Sequence, residues 1–450
     1  MKKSIILILC LVIHTSAFSQ LEGHWYGTTE KKGKIVFHIT KEKDRYTATY
    51  DCPDIYAYGY SVEEVLIDGS EVIIKIPSIG AVFYGQINSD NNEINGTFEQ
   101  GGLSMPLNLL TRPQTPKETY PYYSHDVIIE NLKDSIHLAG TLTLPDSVGK
   151  YPVAILISGS GPHERDATHF GHKTFLVIAD YLTKNGIGVL RFDDRGVGNS
   201  TGNFYAATLA DFAHDVESCF HYLQSHKNVL PDKIGLIGHS EGGSVAAMVA
   251  GNNKNITFVV FMASPAVSGD KIVYAQTMQL YQNLDSIGRL EQVNLRRQLI
   301  NILRYLDQDM AEGALWDILV KNRKLLSVQN QDTIYTINSI AAYLNSDYYR
   351  SFISYDPAMD FKKIACPVLG LYAEKDTQVL PSQNIPAFEN AFAEAGKYNS
   401  AVEFPDVNHE FQTVKNGTAD ENSELDETIS PEVLLFITYW IIDNGLSERK

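Results

Sequence analysis

The stretch from Lys233 to Ala247, K-I-G-L-I-G-H-S-E-G-G-S-V-A-A, constrains this chain more than any other. Ile234, Leu236 and Ile237 form a short apolar run suited to a strand buried on both faces of a parallel sheet, and it stops at Gly238. After a turn, Ser244 to Ala250 is a run of small, helix-compatible residues. Ser240 therefore stands between strand and helix with glycine two positions before and two after, the G-x-S-x-G elbow. The requirement is steric: the serine backbone must adopt a strained turn, and only small residues at 238 and 242 let strand and helix come that close. Ser240 is then thrust out where a substrate carbonyl can meet it. A merely structural Gly-rich turn is the competing reading, and the flanking strand and helix patterns argue against it.

The 450 residues exceed one typical domain and predict two. Lys2 and Lys3 precede the apolar run Ile5 to Ile13, followed by Ser16, Ala17, Phe18, Ser19 and Gln20. This predicts a signal peptide cut after Ser19, with export to the periplasm or the cell exterior. The run is too short to span a membrane, and Cys10 lacks the preceding small residue of a lipoprotein signal. A formal net charge of -17 disfavours nucleic acid and anionic membranes as partners. Beyond residue 19, only Cys52, Cys219 and Cys366 are left, too few and too scattered for a disulfide framework. Cys219 and Cys366, in apolar surroundings, read as buried thiols. No His/Cys or carboxylate group shows metal-ligand spacing, so neither a metal nor another cofactor is expected.

From Leu21 to Thr111, short runs rich in β-branched and aromatic residues alternate with turn residues such as Asp68-Gly69, Asn91-Asn92 and Gly101-Gly102. This predicts about eight strands in a small antiparallel barrel or sandwich over residues 20–111. Its aromatics, Trp25, Tyr26, Tyr56, Tyr58 and Tyr60 among them, read first as packing residues and second as a ligand face. Pro113, Pro116 and Pro121 mark a linker over 112–123. From 124 to 450 strands alternate with helices, the pattern of a mostly parallel sheet with crossover helices, an α/β domain. Strands are expected at Val127 to Glu130, His137 to Leu144, Val153 to Ile157, Gly188 to Phe192, Lys233 to Ile237, Phe258 to Met262, Val368 to Tyr372 and Ala401 to Phe404. One segment, about 266–360, has long amphipathic runs and no strand, and reads as a helical cap over the carboxyl ends of the strands.

A serine hydroxyl needs a base, and the base needs an orienting group. His409, the only histidine after His239, follows the strand ending at Phe404, and Asp376 follows the strand ending at Tyr372. Both should project from the same sheet edge as Ser240. Glu374 and Asp406 are rival acids, the first nearer the strand end and the second nearer His409 in sequence. The oxyanion of a tetrahedral intermediate calls for two backbone donors. Glu241, directly after the serine, supplies one, and the S-G-S-G-P loop after Ile157 the other, with Ser160 first and Gly161 second.

Residues about 124 to 445 resemble the α/β-hydrolase superfamily, in particular its serine esterases and its serine aminopeptidase-like and prolyl-oligopeptidase-like members. The resemblance rests on Gly238-His239-Ser240-Glu241-Gly242-Gly243, on Asp193-Asp194-Arg195-Gly196-Val197-Gly198-Asn199-Ser200, and on Asp376 with His409. It implies a Ser240-His409-Asp376 triad and a mainly structural part for the Asp193 to Ser200 turn. Ser158-Gly159 stands where the family often has His-Gly, and Ala373 where many relatives have glycine.

The expected function is cleavage of carboxylic esters through an acyl-enzyme, on a small-molecule ester or a short peptide. Peptidase action is the first alternative, with Glu164, Asp166 and Glu241 as carboxylates that could grip a substrate amine. A non-catalytic ligand-binding protein is the second, and the intact triad residues argue against it. Transfer of the acyl group to an acceptor other than water shares the same intermediate.

Overall fold

The computed structural model describes residues 21–446 except 30–33, 43–44, 53–56, 89–92, 112–113, 117–119, 170, 327–332, 395–398, 416–424 and 426. The expected signal peptide, Tyr56 and the Asn91-Asn92 turn lie outside the described residues. The chain forms two compact units, one ending at Pro113 and one beginning at Gln114.

The described residues of the first unit form nine strands: β1 (Gly23–Thr28), β2 (Lys34–Glu42), β3 (Arg45–Cys52), β4 (Ala57–Ser61), β5 (Glu64–Asp68), β6 (Glu71–Ile76), β7 (Ala81–Ile87), β8 (Glu93–Gln100) and β9 (Leu103–Thr111). Every pairing is antiparallel. The order β2-β1-β9-β8-β7-β6-β5-β3-β4 closes on itself through β2 and β3, which decides for a barrel over a sandwich. Eight strands make the closed wall. The ninth, β4, pairs with β3 at Thr49, Tyr50 and Cys52, where β5 touches β3 only at Tyr46 opposite Val65. Period-two patterning sends Ile35, Phe37 and Ile39 inward to a core with Trp25 and Phe83. Trp25 is fully buried and its indole N–H donates to the Leu21 carbonyl (2.8 Å), so it is a packing residue. Tyr60, by contrast, is half exposed.

The second unit opens with β10 (Tyr123–Asn131), β11 (Ile136–Leu144) and β12 (Tyr151–Ile157) and a two-residue hairpin, β13 (Thr168–His169) with β14 (His172–Lys173). It continues with β15 (Gly188–Phe192), β16 (Val229–His239), β17 (Val259–Met262), β18 (Val368–Ala373) and β19 (Asn399–Phe404). The main sheet runs β10-β11-β15-β12-β16-β17-β18-β19. Only β10, β11 and the β11–β15 seam are antiparallel, and the rest is parallel. Alternate residues of the parallel strands feed two cores. Val153, Ile155 and Ile157 pack with helices α2 (Leu209–Ser225) and α3 (Glu241–Asn252), and Ala154 and Leu156 pack with α1 (Thr174–Lys184). This is why these strands read as continuous apolar runs: both faces are covered. The expected linker is not a free spacer beyond residue 113. The Gln114 side chain bonds to Thr428 and Ile429, and the Tyr122 hydroxyl donates to Asp180.

Between β17 and β18 the described residues form six helices and no strand: α4 (Gly269–Leu280), α5 (Ser286–Tyr305), α6 (Gln308–Lys321), α7 (Thr333–Leu344), α8 (Asp347–Ser354) and α9 (Ala358–Phe361). Asp285 and Asp307 cap α5 and α6 by accepting from the amides of Gly288 and Met310, and this sets where those amphipathic runs begin. The chain closes with α10 (Pro381–Glu394) before β19 and α11 (Pro431–Trp440) after it.

Candidate active site

Ser240 sits at the end of β16 with φ 52° and ψ -125°, a conformation that costs a non-glycine residue roughly 1–3 kcal/mol. Neighbours impose it: the Ser240 amide donates to the Met262 carbonyl (2.8 Å), and its carbonyl accepts from the Gly243 amide (3.0 Å). The glycines are needed for contact rather than for φ. A Cβ on Gly242 would overlap the carbonyl oxygens of Ile157 and Ser158, and one on Gly238 would overlap the Gly242 carbonyl.

His409 lies in the loop after β19. The Asn408 side chain builds that loop, its Oδ1 accepting from the amides of Glu410 (3.0 Å) and Gln412 (2.9 Å). His409 Nδ1 is 2.7 Å from Asp376 Oδ2. A carboxylate accepts, so Nδ1 carries the proton and Nε2 is the unprotonated nitrogen of the neutral ring. Asp376 Oδ1 accepts from the amides of Gln378 (2.7 Å) and Val379 (2.9 Å), which fixes the carboxylate. Burial opposes charge on His409, but the Asp376 carboxylate, with Glu410 beside it, outweighs burial and holds the imidazole above its ordinary value. The rival acids are engaged elsewhere. Glu374 accepts from the Asp406 amide (2.9 Å) and pairs with Lys375, and Asp406 is exposed beside the same lysine. His239 supports the arrangement from the elbow, its Nε2 donating to the His409 carbonyl (3.0 Å).

Glu241 is the first residue of α3, so its N–H belongs to the helix N-terminus, where amides lack intrahelical acceptors. Gly159 lies against Ser240: a Cβ there would stand 3.2 Å from the Ser240 Cβ. This brings the Ser158 to Gly161 loop beside the serine. The amide of Gly161, the second candidate, is taken, donating to the Tyr348 hydroxyl (3.2 Å).

The Glu241 side chain is buried and already engaged by hydroxyl donors. Its Oε2 accepts from the hydroxyls of Tyr348 (3.1 Å) and Ser160 (3.3 Å). Burial pushes this carboxyl up to about 8. Behind the same loop Asp194 accepts from Ser158 Oγ (2.7 Å) and the His163 amide (2.8 Å), and burial raises it to about 6. Glu164 and Asp166 are also committed. Glu164 caps its own loop at Asp166 and Thr168, and Asp166 pairs with Arg191 and Lys173. The Asp193 to Ser200 turn is structural, as the resemblance implies: Asp193 binds Arg165 and the Asn199 amide, and Arg195 binds Asp215 through two nitrogens (2.7 and 2.9 Å).

Ser240 and His409 line one cavity of about 440 Å³. The cap contributes Tyr343, Tyr348, Tyr349 and Arg296 to its wall, and the His409 loop contributes Glu410. Burial opposes the charge of Glu410, but His239, His409, His169 and His163 outweigh it and hold the carboxyl down at about 2. The ligand atoms of His239, His409 and Glu410 lie within 4.8 Å of one another, as do those of Asp134, Asp211 and His214. These are the groups among the described residues that could hold a metal. Among the described residues no helix is long and apolar enough to cross a membrane. Cys219 and Cys366 are buried.

Sequence reasoning missed Tyr348 and Glu410. Glu410 could have been found as the neighbour of His409. Tyr348 had no signal, since 107 positions separate it from Glu241.

A mostly parallel sheet with flanking helices, an elbow serine at the end of one strand and a helical insertion over the strand ends define an α/β-hydrolase. The chain belongs to the α/β-hydrolase family described as serine aminopeptidase, S33, whose model matches residues 171–413. Esterase EstD of Thermotoga maritima is 29% identical over 153 residues, 33% of this chain and 36% of the relative. A monoglyceride lipase homolog of monkeypox virus is 23% identical over 163 residues, 34% of this chain and 55% of that protein. The chain thus spans about a third of the length of the first and about half of the second. Among solved structures, a puromycin-hydrolyzing peptidase of Mycobacterium tuberculosis matches with TM-score 0.48 at 14% identity, covering 94% of this chain and 54% of that one. An esterase of Pyrococcus furiosus matches with TM-score 0.45 at 16% identity, covering 74% and 97%.

Proposed function

We propose that the protein is a serine hydrolase cleaving carboxylic esters through an acyl-enzyme on Ser240. His409 Nε2 takes the serine proton as Oγ attacks the ester carbonyl, and Asp376 orients the ring and balances the imidazolium. The amides of Glu241 and Ser160 receive the oxyanion. Collapse expels the alcohol with the proton from His409, and water then repeats the sequence in reverse to free the acid. The observation that carries this reading is that His409, hydrogen-bonded to the buried Asp376, and Ser240, held in a strained turn, line the same cavity. Family membership and the similarity to an esterase support it. Export, with the mature chain starting at Gln20, belongs to the same proposal and is tested by N-terminal sequencing of the protein recovered outside the cytoplasm.

One observation favours peptide substrates as a second reading: Glu410 places an ionised carboxylate in the cavity wall, where it could meet a substrate amine. The test is turnover of p-nitrophenyl esters of graded acyl length against aminoacyl p-nitroanilides, with Ser240→Ala as control. Ester turnover lost in the variant supports the esterase reading, and dominant anilide turnover moves the assignment to a peptidase. No turnover, with no fluorophosphonate labelling of Ser240, would sink both and favour a binding protein.

A further inference from the structure

The Ser158 to Gly161 loop is fastened on both sides of Ser160. Ser158 Oγ donates to Asp194 (2.7 Å), Ser160 Oγ donates to Glu241 Oε2 (3.3 Å), and the Gly161 amide donates to the Tyr348 hydroxyl (3.2 Å). The Tyr348 hydroxyl in turn donates to Glu241 Oε2 (3.1 Å), so this one hydroxyl is used as both acceptor and donor. Tyr348 and Glu241 are 1% and 3% exposed, and water cannot easily stand in for either. The tyrosine is itself held. It is the second residue of α8, its ring packs on Phe204 at 4.8 Å between centroids, and the next turn of α8 anchors to the body where Ser351 Oγ accepts from the Leu209 amide (3.1 Å).

We propose that Tyr348 and the Glu241 side chain form a latch by which the inserted helices hold the oxyanion loop in register with Ser240, making Tyr348 a positioning residue for catalysis as well as a wall of the pocket. The inference rests on the serine-hydrolase reading. The cap then sets the rate of the chemical step as well as the choice of substrate. Its physical basis is that a donor misplaced by a fraction of an ångström loses most of its value to a developing oxyanion, whereas ground-state binding hardly senses it. Glu241 thus serves twice, by its backbone at the elbow and by its side chain beneath the loop.

The test compares wild type with Tyr348→Phe, which keeps the ring and deletes the hydroxyl. Hydrolysis of a short-chain p-nitrophenyl ester is followed, together with inhibition by an aryl trifluoromethyl ketone that forms a tetrahedral adduct on serine. The expected result is a kcat lower by roughly 10- to 100-fold, KM within about twofold, and ketone affinity weakened in parallel with kcat. Unchanged kcat, or a rise in KM with ketone affinity intact, would overturn the latch and leave Tyr348 as pocket wall only. Should Tyr348→Phe fail to fold by circular dichroism, Ser160→Ala opens the latch from the loop side. It should lower kcat and ketone affinity together by at least about threefold, and no change in either overturns the proposal. Wild-type protein that neither turns over ester nor reacts with fluorophosphonate refutes the hydrolase reading itself. Wild-type turnover abolished by Ser240→Ala, alongside an unaffected Tyr348→Phe, refutes the latch alone.

Discussion

His409 Nδ1 lies 2.7 Å from Asp376 Oδ2 across 33 positions of sequence, with the Asp376 side chain completely shut off from solvent. Glu374 and Asp406, both close to one of these residues in the chain, face other partners. Asp376→Asn should therefore lower kcat by about ten-thousand-fold, because an amide at that position favours the wrong imidazole tautomer. Glu374→Gln should stay within a few-fold of wild type. Steady-state kinetics on one p-nitrophenyl ester decides between the acids: a collapse in the Glu374 variant with Asp376→Asn near wild type would reverse the assignment.

The acid side of the pH profile should report His409. The imidazole must be neutral to take the serine proton, and its Asp376 partner holds it above the ordinary histidine value of 6.5 against the opposing effect of burial. Activity should rise with pH through a midpoint above 6.5. A kcat/KM profile with its acid midpoint well below 6.5 would contradict this.

The alkaline side should report Glu241. Its carboxyl, raised to about 8 chiefly by burial and further by Asp194, is neutral at pH 7. Ionisation would put a negative charge beside the forming oxyanion, so kcat should fall as pH passes about 8. The bonds from Tyr348 and Ser160 hold this value down, so Tyr348→Phe should move the alkaline midpoint upward. The sign for stability is the same. The folded value lies above the unfolded one, so this group's contribution is complete below pH 4.5 and lost as pH rises through about 8. A profile flat to pH 10 in both proteins would count against it.

Two glycine-to-alanine substitutions should act in opposite directions. Gly242→Ala sets a methyl against the backbone carbonyls of Ile157 and Ser158, which cannot move aside, so it should cost at least the roughly 1–3 kcal/mol of an overpacked core. Gly313, inside α6, has nothing within 4 Å of the added carbon. Gly313→Ala should raise stability by about 0.5–1 kcal/mol through helix propensity alone. Thermal melting of both variants checks the contrast.

Arg195→Ala should be structurally severe. It strips Asp215, 2% exposed, of a two-nitrogen partner and, among the described residues, leaves the Asn131 amide (2.8 Å) to satisfy it. Breaking a buried pair from one side costs about 3–5 kcal/mol. Urea unfolding followed by the buried Trp440 measures it, and a loss under about 1 kcal/mol would mean that the turn is less structural than its contacts imply.

Much of this protein is written locally. The elbow at Ser240, the doubly buried strands, the capped helices α5 and α6 and the glycine turns of the barrel all follow from residues a few positions apart. Periodicity, capping and steric tolerance act over that range. Even Asp376 and His409, which the structure joins by a hydrogen bond, stood out as candidates, because a strand end followed by His or Asp in the right order is a one-dimensional signal. What required the tertiary structure was every choice among chemically equivalent groups. Barrel closure turned on the β2–β3 pairing, and Asp376 was separated from Glu374 and Asp406 by where each side chain finds its donors. Glu164, Asp166 and Glu241, alike as free carboxylates on paper, proved to be a loop cap, an ion-pair partner and a buried acid under Tyr348. The physical reason is that a carboxyl group's role is set by its solvation and its donors, and here these come from segments up to 107 positions away, which no local pattern encodes.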